Sequence, residues 1–135
     1  MKIPLRVLII WVMMLSAISE LFAYERRLRV PDYFSCERNL VTSWHGVISG
    51  YQRNDNSLDI EVSTDADTVE LLTLNYTHPN ELLSRFYLHD RPFNDLDWDK
   101  IESSSGIIKK KIPVTVWLCE DQKTKPLINW RPRKQ

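Results

Sequence analysis

Six consecutive residues, Leu58–Ser63, alternate between apolar and polar side chains without a break. A period of two residues is typical of a strand with one face in a core and the other in water. Stretches 44–51 and 69–76 are rich in β-branched and aromatic residues, and turn-forming clusters at 53–57 and 65–67 separate the three segments. We therefore predict a three-stranded meander over the first half of the chain.

The period changes after residue 76. Residues 77–81 have the features of a helix start, with a proline allowed in the first turn. Two further strands are predicted at 113–119 and 127–130, and the first is apolar on both faces, as expected for a central strand. Residues 89–98 are predicted to form a polar loop. The residues predicted to form one face of the helix are Leu82, Leu83, Phe86 and Tyr87.

The predicted order is three strands, a short helix and two strands. Over about residues 42–131 this order resembles the OB-fold, a small five-stranded and partly open barrel. The resemblance implies a mainly β, OB-like barrel with its helix between strands 3 and 4, and a small β-sandwich is the alternative. We divide the chain into a signal peptide (1–23), an N-terminal arm (24–41), the β-barrel domain (42–131) and a basic tail (132–135).

The N-terminal 23 residues have the layout of an export signal. Lys2 and Arg6 precede an apolar run over 7–15, and the short side chain of Ala23 marks a cleavage site. A membrane-spanning helix needs about 20 mostly apolar residues, but this run ends near Ser16. We expect an exported protein, periplasmic or secreted, and an uncleaved N-terminal membrane anchor is the alternative.

The chain contains two cysteines, Cys36 and Cys119. In an exported protein such a pair usually forms one disulfide. It would close a loop of about 84 residues, which the chain-entropy model values at about 4–5 kcal/mol. For a single small domain this is a large share of the total stability. Free structural thiols are the alternative.

Charge and composition argue against several functions. The net charge is +0, so no global field attracts nucleic acid, and the basic ends of the mature chain are interpreted as solvated. With only three glycines and no GxSxG sequence, the chain offers neither a Gly-rich phosphate loop nor a serine-hydrolase elbow. The three histidines are scattered, and His78 and His89 are only weak metal candidates. No cofactor, catalytic residue or metal site is predicted.

The candidate binding surface combines two acidic regions. An OB-type barrel binds ligands on the face of its strands 2 and 3, where the outward side chains include carboxylates. The loop over 90–99 adds carboxylates at alternate positions and a tryptophan that we expect to be exposed. Such a surface repels phosphate and suits an uncharged ligand or a basic protein. Its members are Asp59, Glu61, Asp95, Asp97, Trp98 and Asp99.

These observations favour a non-enzymatic exported binding module that contacts a protein or a component of the cell envelope. One alternative is a small metal-assisted hydrolase, which requires at least two of His78, His89 and the loop aspartates Asp95, Asp97 and Asp99 to converge in a cleft. Another is a carbohydrate-binding module that uses Trp98. Nucleic acid is not an expected partner, membrane contact is expected only through an uncleaved signal segment, and the oligomeric state is left open.

Overall fold

The computed structural model describes residues 29–134. Contacts divide the chain into two units, Met1–Val30 and Pro31–Gln135, and the second is described below. The predicted signal peptide lies outside the described residues. Within 29–134, no helix has the length and apolar character needed to cross a membrane.

A seven-stranded mixed sheet is the main element of the described chain, so the prediction of a mainly β fold is confirmed. Its strands follow the order β3-β2-β1-β8-β9-β4-β5, and only the β4–β9 pairing is parallel. The sheet does not close into a barrel within the described residues. The strands are β1 (Val41–Arg53), β2 (Ser57–Thr64), β3 (Val69–Asn75), β4 (Phe86–Leu88), β5 (Arg91–Pro92), β8 (Pro113–Cys119) and β9 (Leu127–Trp130).

The long strand β1 pairs with two different strands along its length. Its first part pairs with β8, from Val41 to Val47, and its second part pairs with β2, from Gly46 to Arg53. The register shifts between Ile48 and Gly50, where a bulge bends a strand and increases its twist. A Cβ at Gly46 would lie 2.0 Å from the Ser63 carbonyl oxygen. Glycine is therefore required where the two halves of the sheet meet.

One continuous core lies on the concave side of this bent sheet. The inward residues of β2 are those that the alternation predicts, and β8 contributes from the centre of the sheet, where both of its faces are covered. Burying each such side chain contributes about 1.5–3 kcal/mol. The largest fully buried side chains are Trp130, Phe86, Leu58, Leu88, Ile101, Ile128, Val62, Val114 and Val116.

The region between β3 and β8 corrects two predictions. The helix α1 covers only Pro79–Leu83, and Phe86 and Tyr87 belong to β4, which pairs with β9. The predicted helical face fails there because pairing with a distant strand overrides the local period. The supposed polar loop and the break after it contain short elements: β5, a 3₁₀ turn (Asp95–Asp97), α2 (Trp98–Ile101), β6 (Glu102–Ser104) and β7 (Ile107–Ile108).

Strand β3 also departs from expectation, because its apolar residues lie on both sides of the sheet. Leu72 and Leu74 point toward the core. Val69 and Leu71 are exposed on the other side. Glu70 lies on the same side of the strand as Leu72 and is half-buried. Because β3 pairs only with β2, it forms one edge of the sheet.

The N-terminal arm covers the second face of the sheet. Phe34 packs against Trp117, with ring centroids 6.3 Å apart, and Tyr33 stacks on Tyr87 at 3.8 Å. The predicted disulfide joins Cys36 to Cys119, with Cα atoms 5.9 Å apart and a sequence separation of 83. It ties the arm to the end of β8. An intramolecular disulfide fits an oxidising, exported environment.

Candidate functional site

The predicted acidic face of β2 is present, but its charges have partners on neighbouring strands. The carboxylate of Asp59 accepts a hydrogen bond from the Thr73 hydroxyl at 2.6 Å. The carboxylate of Glu61 accepts one from the Ser49 hydroxyl at 3.0 Å. Asp59 is exposed and Glu61 is half-buried. This face lies on β2, and its carboxylates accept hydrogen bonds from side chains of β1 and β3.

Trp98 is not the exposed ring that the sequence predicts. It is half-buried and packs on the core against Phe86 and Phe93, with ring centroids 5.7 and 5.2 Å away. The Arg53 guanidinium lies 4.3 Å above the ring centroid and covers part of what remains. This cation–π contact stabilises the packed position of the Trp98 ring. The expectation of an exposed stacking surface at Trp98 is therefore wrong.

Arg53 in turn forms a bidentate ion pair with the nearly buried carboxylate of Glu102, with both N–O distances 2.7 Å. The Tyr51 hydroxyl and the Gly106 backbone N–H also donate to that carboxylate. Burial alone raises the pKa of Glu102, but these donors together lower it below its usual range. The cluster fixes α2 and the β6–β7 hairpin against the end of β1.

The three loop aspartates have separate roles. Asp97 is buried, and its carboxylate accepts hydrogen bonds from the Asn94 N–H at 3.0 Å and from Lys100 Nζ at 2.9 Å. With Asn94 it forms a capping box at the 3₁₀ turn. Burial raises the pKa of Asp97, but the Asn94 and Lys100 contacts outweigh it and lower the pKa overall. Asp95 and Asp99 are exposed.

The two weak metal candidates lie in different settings. His78 precedes α1 as its N-cap residue, without a side-chain capping bond. His89 lies in the tight turn between β4 and β5, and it shares a groove with Asp99. No hydrogen bond joins His89 to Asp99. Among residues 29–134, no group of three or more His, Cys, Asp or Glu side chains could hold a metal ion.

A groove of about 900 Å³ is formed by four separate segments of the chain. We call it the cationic groove. Its basic residues come from β5, from α2, from the turn before β8 and from the C-terminal end of the described chain. Seven basic side chains line it, Arg91, Lys100, Lys109, Lys110, Lys111, Arg133 and Lys134, with His89, the carboxylate Asp99 and the apolar Leu88, Leu96, Ile112, Pro113 and Pro132.

One wall of the groove is the β4–β5 turn. His89 and Asp90 have φ values of 46° and 67°, a left-handed conformation that costs a non-glycine residue about 1–2 kcal/mol. The Asp90 carboxylate holds the turn in place because it accepts hydrogen bonds from three side chains at 3.0–3.2 Å. The donors are Tyr33, Asn129 and Arg131. Such strain persists only where surrounding contacts enforce it.

The opposite wall is the lysine turn at 109–111. The Lys109 N–H donates to the Ile101 carbonyl at 2.8 Å, and the Ile112 carbonyl accepts from the Ile48 N–H at 3.0 Å. Buried Ile112 therefore anchors the turn against β1. Lys111 itself has a left-handed φ of 54°. Lys110 and Lys111 are exposed at the end of this anchored turn.

The groove carries more positive than negative charge, and its single carboxylate, Asp99, does not neutralise the excess. Lys100 is paired with Asp97, but the other six basic side chains make no ion pair within the part of the chain that the structure describes. Like charges in a concave surface reinforce one another and concentrate the field. The arrangement can hold an anion, and the same groove contains two of the side chains that the hydrolase alternative uses, His89 and Asp99.

The groove was not predicted from the sequence. A run of three consecutive lysines, Lys109–Lys111, was the available signal. The net charge of the chain does not indicate the groove, because a sum over all residues does not show how the charges are distributed. Of the predicted site residues, His89 and Asp99 line the groove, whereas Asp59, Glu61 and His78 do not. Comparison with protein-family models, curated proteins and solved structures finds no match to this chain.

Proposed function

We propose that this protein is an exported, disulfide-stabilised binding module that holds an anionic partner of the cell envelope or an extracellular polyanion in the cationic groove. The observation that carries the proposal is the charge of the groove, seven basic side chains against one carboxylate. The walls are held by buried anchors, so the charges are already assembled. A preassembled site loses less entropy when a ligand binds.

We further propose that the fold is OB-like with an open seam. Five longer strands, β1, β2, β3, β8 and β9, are neighbours in one sheet, and α1 follows the third of them. Closure would require β9 to pair with β3, but β4 pairs with that side of β9 instead. Within the described chain, no groove residue comes from β2 or β3. The cationic groove therefore differs from the usual OB ligand face on strands 2 and 3.

The other hypotheses have less support. A carbohydrate-binding module would need an exposed aromatic platform, whereas Trp98 is half-buried and packs against Phe86 and Phe93. A metal-assisted hydrolase would need several ligands in one place, and only His89 and Asp99 of the candidates share a groove. Binding of an anion requires neither feature.

The proposal is tested by charge reversal in the full chain. Lys110→Glu with Lys111→Glu changes two exposed lysines of the groove, and heparin retention together with titration of inorganic polyphosphate measures anion binding. We expect wild-type protein to bind both polyanions, with an affinity that falls as salt rises. The double variant should bind about tenfold more weakly or worse, because two attractions become repulsions.

The matched control is Lys123→Glu with Lys125→Glu in the loop between β8 and β9. Both lysines are exposed, neither lines the cationic groove, and the pair changes the net charge by the same amount. The control should retain near wild-type affinity. Equal losses in the two double variants would mean that only net charge matters, and absence of binding by the wild type would reject the proposal.

A further inference from the structure

The apolar residues of the cationic groove identify the chemical class of its partner. Aliphatic and prolyl side chains lie among the basic residues: Leu88, Leu96, Ile112, Pro113 and Pro132. No Phe, Tyr or Trp is among the groove residues that the structure describes. A site for single-stranded nucleic acid or for sugar rings stacks its ligand on aromatic side chains. The groove instead combines cations with aliphatic surface.

Leu96 is the most exposed large apolar side chain in the described chain. It is 85% exposed, compared with 71% for Leu71 on β3. It lies at the centre of the 3₁₀ turn, and its own N–H donates to the Asn94 side chain at 2.9 Å. The capping box therefore holds Leu96 outward at the groove on a short, fixed turn. Nothing within residues 29–134 covers it.

Cations surround this exposed leucine within one surface. Arg91 and Lys100 line the same groove as Leu96, and the lysine turn lines it as well. An apolar side chain among basic residues is the arrangement by which proteins bind an anionic bilayer, since the apolar group enters the interface while the cations meet the headgroups. Long lysine and arginine side chains can keep their charges at headgroup level while their stems contact apolar material.

We propose that the cationic groove docks on an anionic lipid surface, with Leu96 inserted into the headgroup region and the lysine turn bound to lipid phosphates. This inference rests on the proposed function and specifies its anionic partner. Soluble polyanions offer the cations the same charge but leave Leu96 in water. A lipid surface matches both parts of the groove.

The experiment measures partitioning of the full chain onto vesicles by sedimentation. Vesicles of phosphatidylglycerol mixed with phosphatidylcholine are compared with vesicles of phosphatidylcholine alone. We expect at least about tenfold stronger binding to the anionic vesicles, and a further large decrease in 0.5 M salt, at which exposed charges are screened beyond about 4 Å. All variants share residues 1–30, so any membrane affinity of that segment is common to every comparison.

Leu96→Ser tests insertion, and Leu71→Ser is its matched control. Both changes replace an exposed leucine with a small polar residue, but Leu71 lies on β3 and does not line the groove. We expect Leu96→Ser to weaken partitioning about 5- to 10-fold while Leu71→Ser leaves it unchanged, since less apolar surface enters the interface. Heparin retention should be the same for both variants.

A second measurement does not depend on loss of binding. Leu96→Trp places a fluorophore at the proposed contact, and lipids brominated near the headgroup should quench its added emission in anionic vesicles. Absence of quenching in vesicle-bound protein would overturn the insertion of residue 96. The inference would likewise be overturned if Leu96→Ser bound vesicles as well as the wild type, or if a single-stranded oligonucleotide bound more tightly than the vesicles.

The two proposals fail in different ways. Retention on heparin without binding to anionic vesicles would reject the lipid partner and leave the anion-binding function intact. Failure on both heparin and vesicles would reject both proposals. Vesicle binding that is lost in Lys110→Glu with Lys111→Glu and reduced in Leu96→Ser would support both.

Discussion

The outward face of β2–β3 and the cationic groove are both charged surfaces, but their charges are organised differently. On β2–β3 the carboxylates Asp59 and Glu61 lie two residues apart on one strand, and each has a hydroxyl partner on an adjacent strand. In the groove the basic side chains come from segments that are distant in sequence, and most have no acidic partner in the described chain.

A solvated surface and a binding site can be distinguished by how their charges are brought together. Alternation along a strand places polar groups outward whether or not they have a function, because one face must remain in water. Charges of one sign that several segments bring together repel one another in the folded state. That repulsion is offset only if contacts elsewhere hold the segments, or if a ligand neutralises the charges.

Removing the disulfide should have the largest effect and should separate the two regions. Cys36→Ser with Cys119→Ser releases the arm whose Tyr33 hydroxyl supports Asp90 at the groove wall. We expect a loss of about 4 kcal/mol in the free energy of unfolding, because a long loop is no longer closed in the unfolded chain. Denaturant titration measures this loss.

Hydrogen exchange in this double variant would show which of the two regions, β2 or the groove wall, loses structure first. Amides of β4 should lose protection at lower denaturant than those of β2. Strand β2 is separated from β8 by β1. Equal loss of protection in β2 and β4 would contradict the idea that the arm supports the groove wall selectively.

The stabilisation that Asp97 provides should depend on pH. Because the pKa of Asp97 is lowered in the folded protein, its stabilisation is fully present above the unfolded value of about 3.9 and is lost as pH falls through the folded value. Asp97→Asn should therefore cost about 1–2 kcal/mol at neutral pH. It should cost progressively less in acid, as measured by urea unfolding at several pH values.

Asp59→Asn is the matched control for that series. Its carboxylate accepts one hydrogen bond, from the exposed Thr73 hydroxyl, and surface substitutions of this kind change stability by about 0.5 kcal/mol or less. A larger cost for Asp59→Asn than for Asp97→Asn would invert the proposed difference between the two acidic regions.

The smallest expected effect concerns strain at the groove wall. His89 has a left-handed backbone, which glycine adopts without steric cost. His89→Gly should raise the free energy of unfolding by about 0.5 kcal/mol, since relief of strain is partly offset by the greater entropy of glycine in the unfolded chain. Thermal unfolding would detect the increase. A clear loss of stability would mean that the imidazole makes a contribution larger than the strain.

Sequence reasoning located the strongly periodic elements and missed the short ones. The alternation in Leu58–Ser63, the two apolar faces of 113–119 and the pairing of Cys36 with Cys119 are all present in the structure. Strands β5 and β7 have two residues each, so they contain only one period of the strand pattern and show no repeat. They form because a partner strand supplies their hydrogen bonds.

Local sequence determined the inward and outward sides of β2, because a strand of alternating residues can bury only its apolar set. It also determined which cysteines were available and that the chain is mainly β. Only the tertiary structure decided that Phe86 belongs to a strand, that Trp98 packs against the core, and that Arg91, Lys110 and Arg133 line one groove. These features depend on contacts between segments that are distant in the sequence. The periodicity within a single segment does not predict such contacts.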